Sequence, residues 1–237
     1  MGPMELVETI ARHAGPRGEV VLRRRSGVSG DDVDELIVNG AFAMDSSETF
    51  TERQLAELAR SGPVKPRRVL VGGLGLGYTA AQLLRGDVDR LDVVEIEDCL
   101  IDWAYAGLTP TLAAVAADPR TRLHAADIRS VLTGVRADPA GPWDAIILDV
   151  DNGPDFLIHG NNDALYAEPG LAAAYARLAP GGTCAIWCQG AVAELLATLR
   201  RVAPTADQHV FTRVRDGRPL DYAIYTMTRP GDPVPAR

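Results

Sequence analysis

Glycines and carboxylates stand at the ends of several strand-like runs in this 237-residue chain. The first such place is the glycine-rich segment 72–77, which follows the apolar run 69–71 and precedes a helical pattern that begins near Thr79. Glycine lets a backbone turn sharply and approach a ligand, and the start of the next helix offers unpaired N–H groups and a positive dipole end. This pattern predicts a site for a nucleotide or a nucleoside.

The glycine segment fits the motifs of two cofactors. Segment 75–80 matches the G-x-G-x-x-A of dinucleotide-binding turns, and Glu95 lies 20 residues after Gly75, where an acid binds a ribose diol. NAD is therefore one candidate. Gly73, Gly75 and Gly77 equally match the G-x-G-x-G of the class I transferases that use S-adenosyl-L-methionine (AdoMet).

Acidic residues also end the next three predicted strands. Glu95 closes the second strand, Asp127 follows the third, and Asp149 ends the fourth. Because ligands of open α/β sheets bind beyond the carboxyl ends of the strands, these three side chains are expected around one cleft. An NAD enzyme has no general need for the last two acids, so their presence favours AdoMet.

Each acid at this cleft has an expected partner in the cofactor. Glu95, with Ile96 beside it, is expected to accept hydrogen bonds from the ribose hydroxyls. Asp127 is expected to accept from the adenine amine while Ile128 lies against the ring, although Asp127 could instead cap the helix that follows it. Asp149 is expected nearest to the reacting centre, where it would orient either the acceptor or the amino acid end of the cofactor.

The order and spacing of these motifs resemble the spermidine synthase-like branch of the class I AdoMet-dependent transferases. The resemblance covers roughly residues 19–228 and includes two early strands, the glycine turn, the acidic strand ends and a Leu-Tyr pair. Those parts are segments 18–25, 35–45, 71–75, 94–97, 148–154 and 165–166. It implies a Rossmann-like catalytic domain and a homodimer with the N-terminal hairpin as its contact.

Two departures from the family's motifs bear on the chemistry. In aminopropyltransferases the glycine turn carries an aspartate that holds the free amine of decarboxylated AdoMet, and the aligned residue here is Leu76. The family's D-[ST]-[ST]-D-P loop supplies a second aspartate as the base. The aligned residue here is Asn152, and the nearest spare carboxylate is Asp151. The resemblance therefore implies AdoMet-type binding with a changed transfer reaction.

The loop after the fourth strand is expected to hold the acceptor. Asp149 and Asp151 are the candidate catalytic residues, with Asp151 as general base or ammonium anchor and Asn152 beside it. Tyr166 is expected to form a wall of the acceptor pocket, and the loop before it to act as a lid that excludes water. His159 in that loop is a weaker candidate base. The acidic segment itself could also be a plain turn.

These observations predict an AdoMet-dependent transferase, with methyl transfer to a nitrogen or oxygen of a small, polyamine-like acceptor as the first hypothesis. An aminopropyltransferase that uses decarboxylated AdoMet is the alternative. A non-catalytic module that binds AdoMet or a nucleoside is a second alternative, and NAD-linked redox chemistry is a third.

Composition limits the partners of the chain. The net charge of −8 and the pI of about 5.0 disfavour binding to a phosphate backbone. The three cysteines, Cys99, Cys184 and Cys188, have no histidine at metal-ligand spacing, so no metal site is expected. No signal-peptide or membrane-length apolar run is found, and a cytoplasmic location without a membrane partner is expected.

The pattern of strands and helices predicts an α/β protein in two parts. Residues 1–62 are expected to form a β-hairpin and a helix, and residues 63–237 a Rossmann-like AdoMet-binding domain. In that domain β and α segments alternate up to about residue 188. Segments 208–214 and 221–228 are expected to form a closing antiparallel hairpin on the mostly parallel sheet.

Overall fold

The computed structural model describes residues 6–26, 32–154, 162–215 and 217–232. The chain begins with an antiparallel sheet of four strands in the order β1-β2-β3-β4, and a helix follows it. These elements are β1 (Leu6–Gly15), β2 (Gly18–Ser26), β3 (Asp32–Val38), β4 (Ala41–Asp45) and α1 (Phe50–Arg60). The sequence predicted a hairpin and a helix here. The structure adds β1 to the hairpin and divides the predicted return strand 35–45 into β3 and β4 by a turn at residues 39–40.

A seven-stranded sheet with the strand order β10-β11-β9-β8-β5-β6-β7 forms the larger part of the protein. Strands β5 to β9 are parallel, and β10 and β11 form the predicted antiparallel hairpin at one edge. The elements are β5 (Arg68–Gly72), α2 (Tyr78–Leu84), β6 (Arg90–Glu95), α3 (Asp98–Tyr105), α4 (Pro110–Ala117), β7 (Thr121–Ala125), α5 (Ile128–Leu132), β8 (Trp143–Leu148), α6 (Asp163–Tyr166), α7 (Glu168–Ala176), β9 (Leu178–Cys188), α8 (Ala193–Val202), β10 (Asp207–Arg215) and β11 (Arg218–Thr228).

The strand order has its switch point at β5. From β5 the chain continues to β6 and β7 on one side and then returns to β8 and β9 on the other. The helices after these strands therefore lie on opposite faces, and a crevice opens at the carboxyl ends of β5 and its neighbours. The middle strands are buried on both faces, as their continuous apolar runs indicate.

Helix α1 joins the two sheets. Its buried face contains Glu52, Leu55, Ala56 and Ala59, whose spacing follows the helical repeat. Leu55 belongs to the same apolar cluster as Leu22 of the N-terminal sheet and the strands of the larger sheet. The N-terminal sheet is thus packed against the cleft end of the larger sheet through a continuous core.

The helices of the described ranges are short. None of them alone is long and apolar enough to cross a membrane, and α3 and α4 reach that length and hydropathy only as a pair bent by 88°.

Candidate active site

A cavity of about 370 Å³ lies at the carboxyl ends of the parallel strands, where the N-terminal sheet and α1 cover them. The turn after β5 and the ends of β6, β8 and β9 line one side, and residues from β3, β4 and α1 line the other. This volume is in the range of small-molecule sites, which bury most of their ligand's surface.

The glycine turn after β5 forms one wall of the cavity. Gly73 has a φ of +93°, and a Cβ at this position would lie 2.0 Å from the carbonyl oxygen of Asp149. Gly75 has a φ of +51° and lies against Met44 of β4. Both positions therefore require glycine, and both line the cavity.

Gly77 has a different position from the one that the sequence predicted. Its φ is +86°, it precedes the first turn of α2, and the nearest atoms to a Cβ there are 3.5 Å away in Leu112 and Val115. Gly77 is not among the described residues that line the cavity. Its glycine serves the turn into α2, because the motif includes the helix start as well as the ligand contact.

Glu95 is buried at the end of β6, with only 6% of its surface exposed. Its Oε2 accepts a hydrogen bond of 2.7 Å from the N–H of Leu74, and its Oε1 accepts one of 2.8 Å from the N–H of Glu97. Burial raises the pKa of Glu95, although these N–H donors oppose the shift. Glu95 and Ile96 line the cavity, so the carboxylate holds the glycine turn and also faces a ligand.

Asp127 both caps a helix and lines the cavity, the two alternatives that the sequence indicated. Its side chain accepts from the N–H of Arg129 at 2.8 Å and so caps α5, and it also lines the cavity with Ile128. Burial alone would raise the pKa of Asp127, but hydrogen bonds from Arg129 outweigh it and hold the pKa below its ordinary value. Asp127 is therefore a carboxylate at neutral pH and accepts hydrogen bonds only.

Asp149 follows β8 and faces the cavity. The hydroxyl of Thr79, in the first turn of α2, donates a 2.7 Å hydrogen bond to its Oδ2. Burial raises the pKa of Asp149 to about 6, although the bond from Thr79 opposes the shift. Asp149 therefore changes its charge close to neutral pH.

Asp151 and Asn152 also line the cavity. Asp151 is 4% exposed and accepts a 2.6 Å hydrogen bond from the side-chain amide of Asn162. The carbonyl of Asn152 accepts from the N–H of Gln189, which follows β9. These bonds fix the acidic turn against α6 and β9, and they leave the Asn152 side chain at the cavity wall.

Tyr166 does not have the position that the sequence predicted. Its side chain is buried in the apolar cluster with Leu165 and Ile186, and it is not among the described residues that line the cavity. Helix α6 is short and turns this ring toward the core. The wall near β9 is formed instead by Trp187 and Tyr222, whose ring centroids are 5.8 Å apart. His159 lies outside the described residues.

The N-terminal part contributes three acidic residues that the sequence reasoning missed, Asp45, Glu48 and Glu52. Glu48 forms an ion pair of 3.0 Å with Arg213 of β10. Glu52 is 8% exposed and accepts a 3.0 Å hydrogen bond from the hydroxyl of Thr51. Burial and then the charge of Asp149 raise the pKa of Glu52 to about 7.

Leu76, aligned with the aspartate of aminopropyltransferases, does not reach the cavity. Its side chain is buried in the core, and its N–H contacts the Sδ of Met44 at 3.2 Å. The residue of this turn that lines the cavity is Gly75, and a Cβ there would lie 2.6 Å from the same Sδ. A thioether thus occupies this end of the cavity, and neither Leu76 nor Gly75 supplies a carboxylate.

The charge of the cavity has one sign. Eight carboxylates line it, while no Lys, Arg or His of the described ranges does so. The eight are Asp45, Glu48, Glu52, Glu95, Glu97, Asp127, Asp149 and Asp151. Charges of one sign in a cleft with low-dielectric walls raise the local concentration of ligands of the opposite sign. The cavity therefore suits a cationic ligand.

Known proteins with similar sequences are transferases of polyamines. Putrescine N-methyltransferase 3 of Nicotiana tabacum is 31% identical over 183 residues, which are 74% of this chain and 44% of the relative. Polyamine aminopropyltransferase of Nitrosomonas europaea is 29% identical over 175 residues, 70% of this chain and 50% of the relative. The chain thus spans half or less of the length of these relatives. Profiles of known protein families give no match.

Solved structures with a similar fold are spermidine synthases. One, in complex with the transition state analogue AdoDATO, has a TM-score of 0.73 and 19% identity and covers 96% of this chain and 75% of its own. Spermidine synthase from Thermotoga maritima has a TM-score of 0.71 and 18% identity, with coverage of 96% and 74%. This chain thus has the fold of the spermidine synthases, and over 74% of its length its sequence is similar to that of a putrescine N-methyltransferase.

Proposed function

We propose that this protein is an AdoMet-dependent methyltransferase whose acceptor is the amine nitrogen of a small molecule. The observation that carries the proposal is the cavity with eight carboxylates and, among the described residues, no basic side chain. A sulfonium and an alkylammonium are both cations, so such a cavity favours the donor and the amine acceptor of an N-alkylation, and the choice of the methyl group rests on the features given below. The Nicotiana relatives, named as putrescine N-methyltransferases, add support.

The residues around the glycine turn fit the nucleoside part of AdoMet. Gly73 lets the turn pass close to the end of β8, because a Cβ at this position would lie 2.0 Å from the carbonyl oxygen of Asp149. Glu95 is proposed to accept from the ribose hydroxyls, and Asp127 from the adenine amine, with Ile96 and Ile128 against the ring. When bound, AdoMet supplies a methyl group that leaves sulfur with its C–S electrons remaining on sulfur.

Residues at the end of β8 are proposed to hold the acceptor. Asp149 and Asp151 would bind its ammonium group, and Asn152 would orient it by hydrogen bonds. Trp187 and Tyr222 form an apolar wall that excludes water and so strengthens the charge interactions inside. Positioning of this kind supplies most of the rate of a displacement whose electrophile is already activated.

Three features support methyl transfer over aminopropyl transfer. The turn offers no carboxylate at Leu76 or Gly75 for the free amine of decarboxylated AdoMet, and Met44 occupies the space beside Gly75. Asn152 stands where aminopropyltransferases have their second aspartate, and an amide is not basic. Because a polyamine aminopropyltransferase of Nitrosomonas europaea also has a similar sequence, aminopropyl transfer is the alternative, and the test includes decarboxylated AdoMet.

The test is a calorimetric titration with AdoMet, decarboxylated AdoMet, methylthioadenosine and NAD in parallel, followed by turnover with putrescine. The proposal predicts that AdoMet binds more tightly than decarboxylated AdoMet and that NAD does not bind. A preference for decarboxylated AdoMet would restore the aminopropyltransferase, and AdoMet binding without turnover of any amine would indicate the binding module. The homodimer and the cytoplasmic location remain predictions.

A further inference from the structure

We propose that Glu52 is a further catalytic residue, which with Asp149 forms a carboxylate pair that takes the proton from the acceptor's ammonium group. The inference rests on the proposed function and deepens it. It assigns the role of base to a side chain of α1, outside the sequence motifs. It also restricts the acceptor to amines that arrive protonated.

The position of Glu52 carries the inference. It lies in the first turn of α1, lines the same cavity as Asp149, and has 8% of its surface exposed. Its side chain accepts hydrogen bonds from the hydroxyl of the adjacent Thr51 and from its own backbone N–H. No cationic side chain of the described ranges pairs with Glu52 or Asp149. A buried carboxylate without such a partner needs a proton or a cationic ligand.

Other carboxylates of the cavity are already compensated. Glu48 is paired with Arg213, Glu97 with Arg17 and Asp127 with Arg129. Glu95 accepts from two backbone N–H groups, as described above. Asp45 accepts from the N–H groups of Ser47 and Glu48, and Asp151 from the side-chain amide of Asn162. Glu52 and Asp149 instead accept their side-chain hydrogen bonds from neutral hydroxyls.

The charges that face Glu52 all have the same sign. The negative charges of Asp149, at the end of β8, and of Glu48, in the turn before α1, both raise the pKa of Glu52, after the larger effect of burial. The charge of Glu48 is partly offset by Arg213 of β10, while β9 and β11 contribute Trp187 and Tyr222 to the same cavity. Burial first and then these like charges raise the proton affinity of the carboxylate, so Glu52 is a stronger base than an exposed glutamate.

The proton balance is simple. An N–H bond of the ammonium breaks, its electron pair stays on nitrogen, and an O–H bond forms on the carboxylate pair. The freed electron pair is the nucleophile that forms the new C–N bond to the methyl carbon, while the C–S bond of the donor breaks and its electron pair stays on sulfur, so that a neutral thioether leaves. After the product leaves as an ammonium ion, the carboxyl proton passes to solvent, and the pair returns to its starting state. No metal or redox partner enters this balance.

The test compares Glu52→Gln with Glu57→Gln, a matched control on the same helix whose side chain is 46% exposed and pairs with Arg60. Each protein is titrated with AdoMet, then with putrescine in the presence of methylthioadenosine, and kcat/KM is measured from pH 6 to 10. Glu52→Gln is expected to bind AdoMet with an unchanged Kd. Putrescine binding is expected to weaken, and kcat/KM at pH 7 to fall by about 10²–10⁴-fold, the usual contribution of a general base.

The pH profile separates a base from a structural residue. In the wild type, kcat/KM should rise with pH through about 7 and then level off, as the pKa of Glu52 requires. In Glu52→Gln it should keep rising toward the pKa of an alkylamine, about 10, because only the free amine then reacts. Glu52→Asp keeps a carboxylate and should retain the acidic limb of the wild type with a smaller loss.

Each remaining result has one meaning. If Glu52→Gln and Glu57→Gln have the same kcat/KM and pH profile while the wild type methylates putrescine, Glu52 is not the base. If the wild type binds AdoMet but neither binds nor methylates an amine, this inference is wrong, and so is the acceptor half of the proposed function. If the wild type does not bind AdoMet, the proposed function itself is overturned.

Discussion

Replacement of Glu52 by glutamine should stabilise the protein without ligand, and the gain should depend on pH. The pKa of Glu52 is raised from 4.5 to about 7 in the folded state, mainly by burial and then by the charge of Asp149. Because the folded pKa is the higher one, ionisation costs stability. The penalty is absent below pH 4.5, grows between pH 4.5 and 7, and is constant above pH 7.

The difference between these two pKa values corresponds to about 3 kcal/mol at pH 8 and to less than about 1 kcal/mol at pH 5. Glutamine has the shape of the protonated acid and carries no charge, so Glu52→Gln removes this penalty. The variant should therefore exceed the wild type by up to about 3 kcal/mol at pH 8 and be nearly equal to it at pH 5.

The assay is equilibrium unfolding in urea at pH 5 and pH 8 of the wild type, Glu52→Gln and Glu57→Gln. The exposed control should show no pH-dependent difference from the wild type, because its charge is in water in both states. A Glu52→Gln variant that is less stable than the wild type at pH 8, or whose difference is the same at both pH values, would refute the reasoning.

Three other predictions concern the nucleoside half of the site. Gly73→Ala should abolish AdoMet binding or folding, because its Cβ would lie 2.0 Å from a carbonyl oxygen. Gly77→Ala, with ordinary contacts of 3.5 Å, should lose only about 1–2 kcal/mol in urea unfolding and should still bind. Asp127→Asn keeps the helix cap but loses acceptor charge, so calorimetry should show AdoMet binding weakened about tenfold, whereas Asp118→Asn, outside the cavity, should not change it. Glu95→Gln should weaken AdoMet binding and also lower stability, since one backbone donor loses its carboxylate acceptor. Full AdoMet affinity in Asp127→Asn or Glu95→Gln would move the nucleoside site elsewhere.

Much of the fold and the nucleoside side of the cavity could be predicted from the sequence. The alternation of strands and helices fixes a parallel sheet, and a parallel sheet brings all its carboxyl ends to one edge. Glu95, Asp127 and Asp149 stand at those ends, so topology alone places them together. Local patterns are sufficient here because each residue is positioned by its own strand.

The acceptor side could not be predicted in the same way. Asp45, Glu48 and Glu52 reach the cavity because the N-terminal sheet and α1 pack across it, and that contact depends on long-range burial. One signal was available for Glu52, which shares the helical repeat of the buried residues Leu55 and Ala56. A carboxylate on the buried face of an amphipathic helix indicates a site or a buried pair.

Two predicted site residues are not among the described residues that line the cavity, for a different reason. Gly77 and Tyr166 both belong to segments where the chain changes direction, and there the sequence does not fix how far the backbone rotates. Gly77 lies at the end of the turn, where α2 begins, and the short helix α6 directs the side chain of Tyr166 into the core. A motif identifies such residues, but the direction of their side chains depends on tertiary packing.

The most direct measurement is the mass of the product formed from putrescine, with AdoMet and decarboxylated AdoMet offered in separate reactions at pH 8. The proposed function predicts putrescine heavier by one methyl group with AdoMet and no product with decarboxylated AdoMet. The Glu57→Gln protein should give the same result, and Glu52→Gln a much smaller yield. Spermidine formed from decarboxylated AdoMet, with no methylated product from AdoMet, would contradict it.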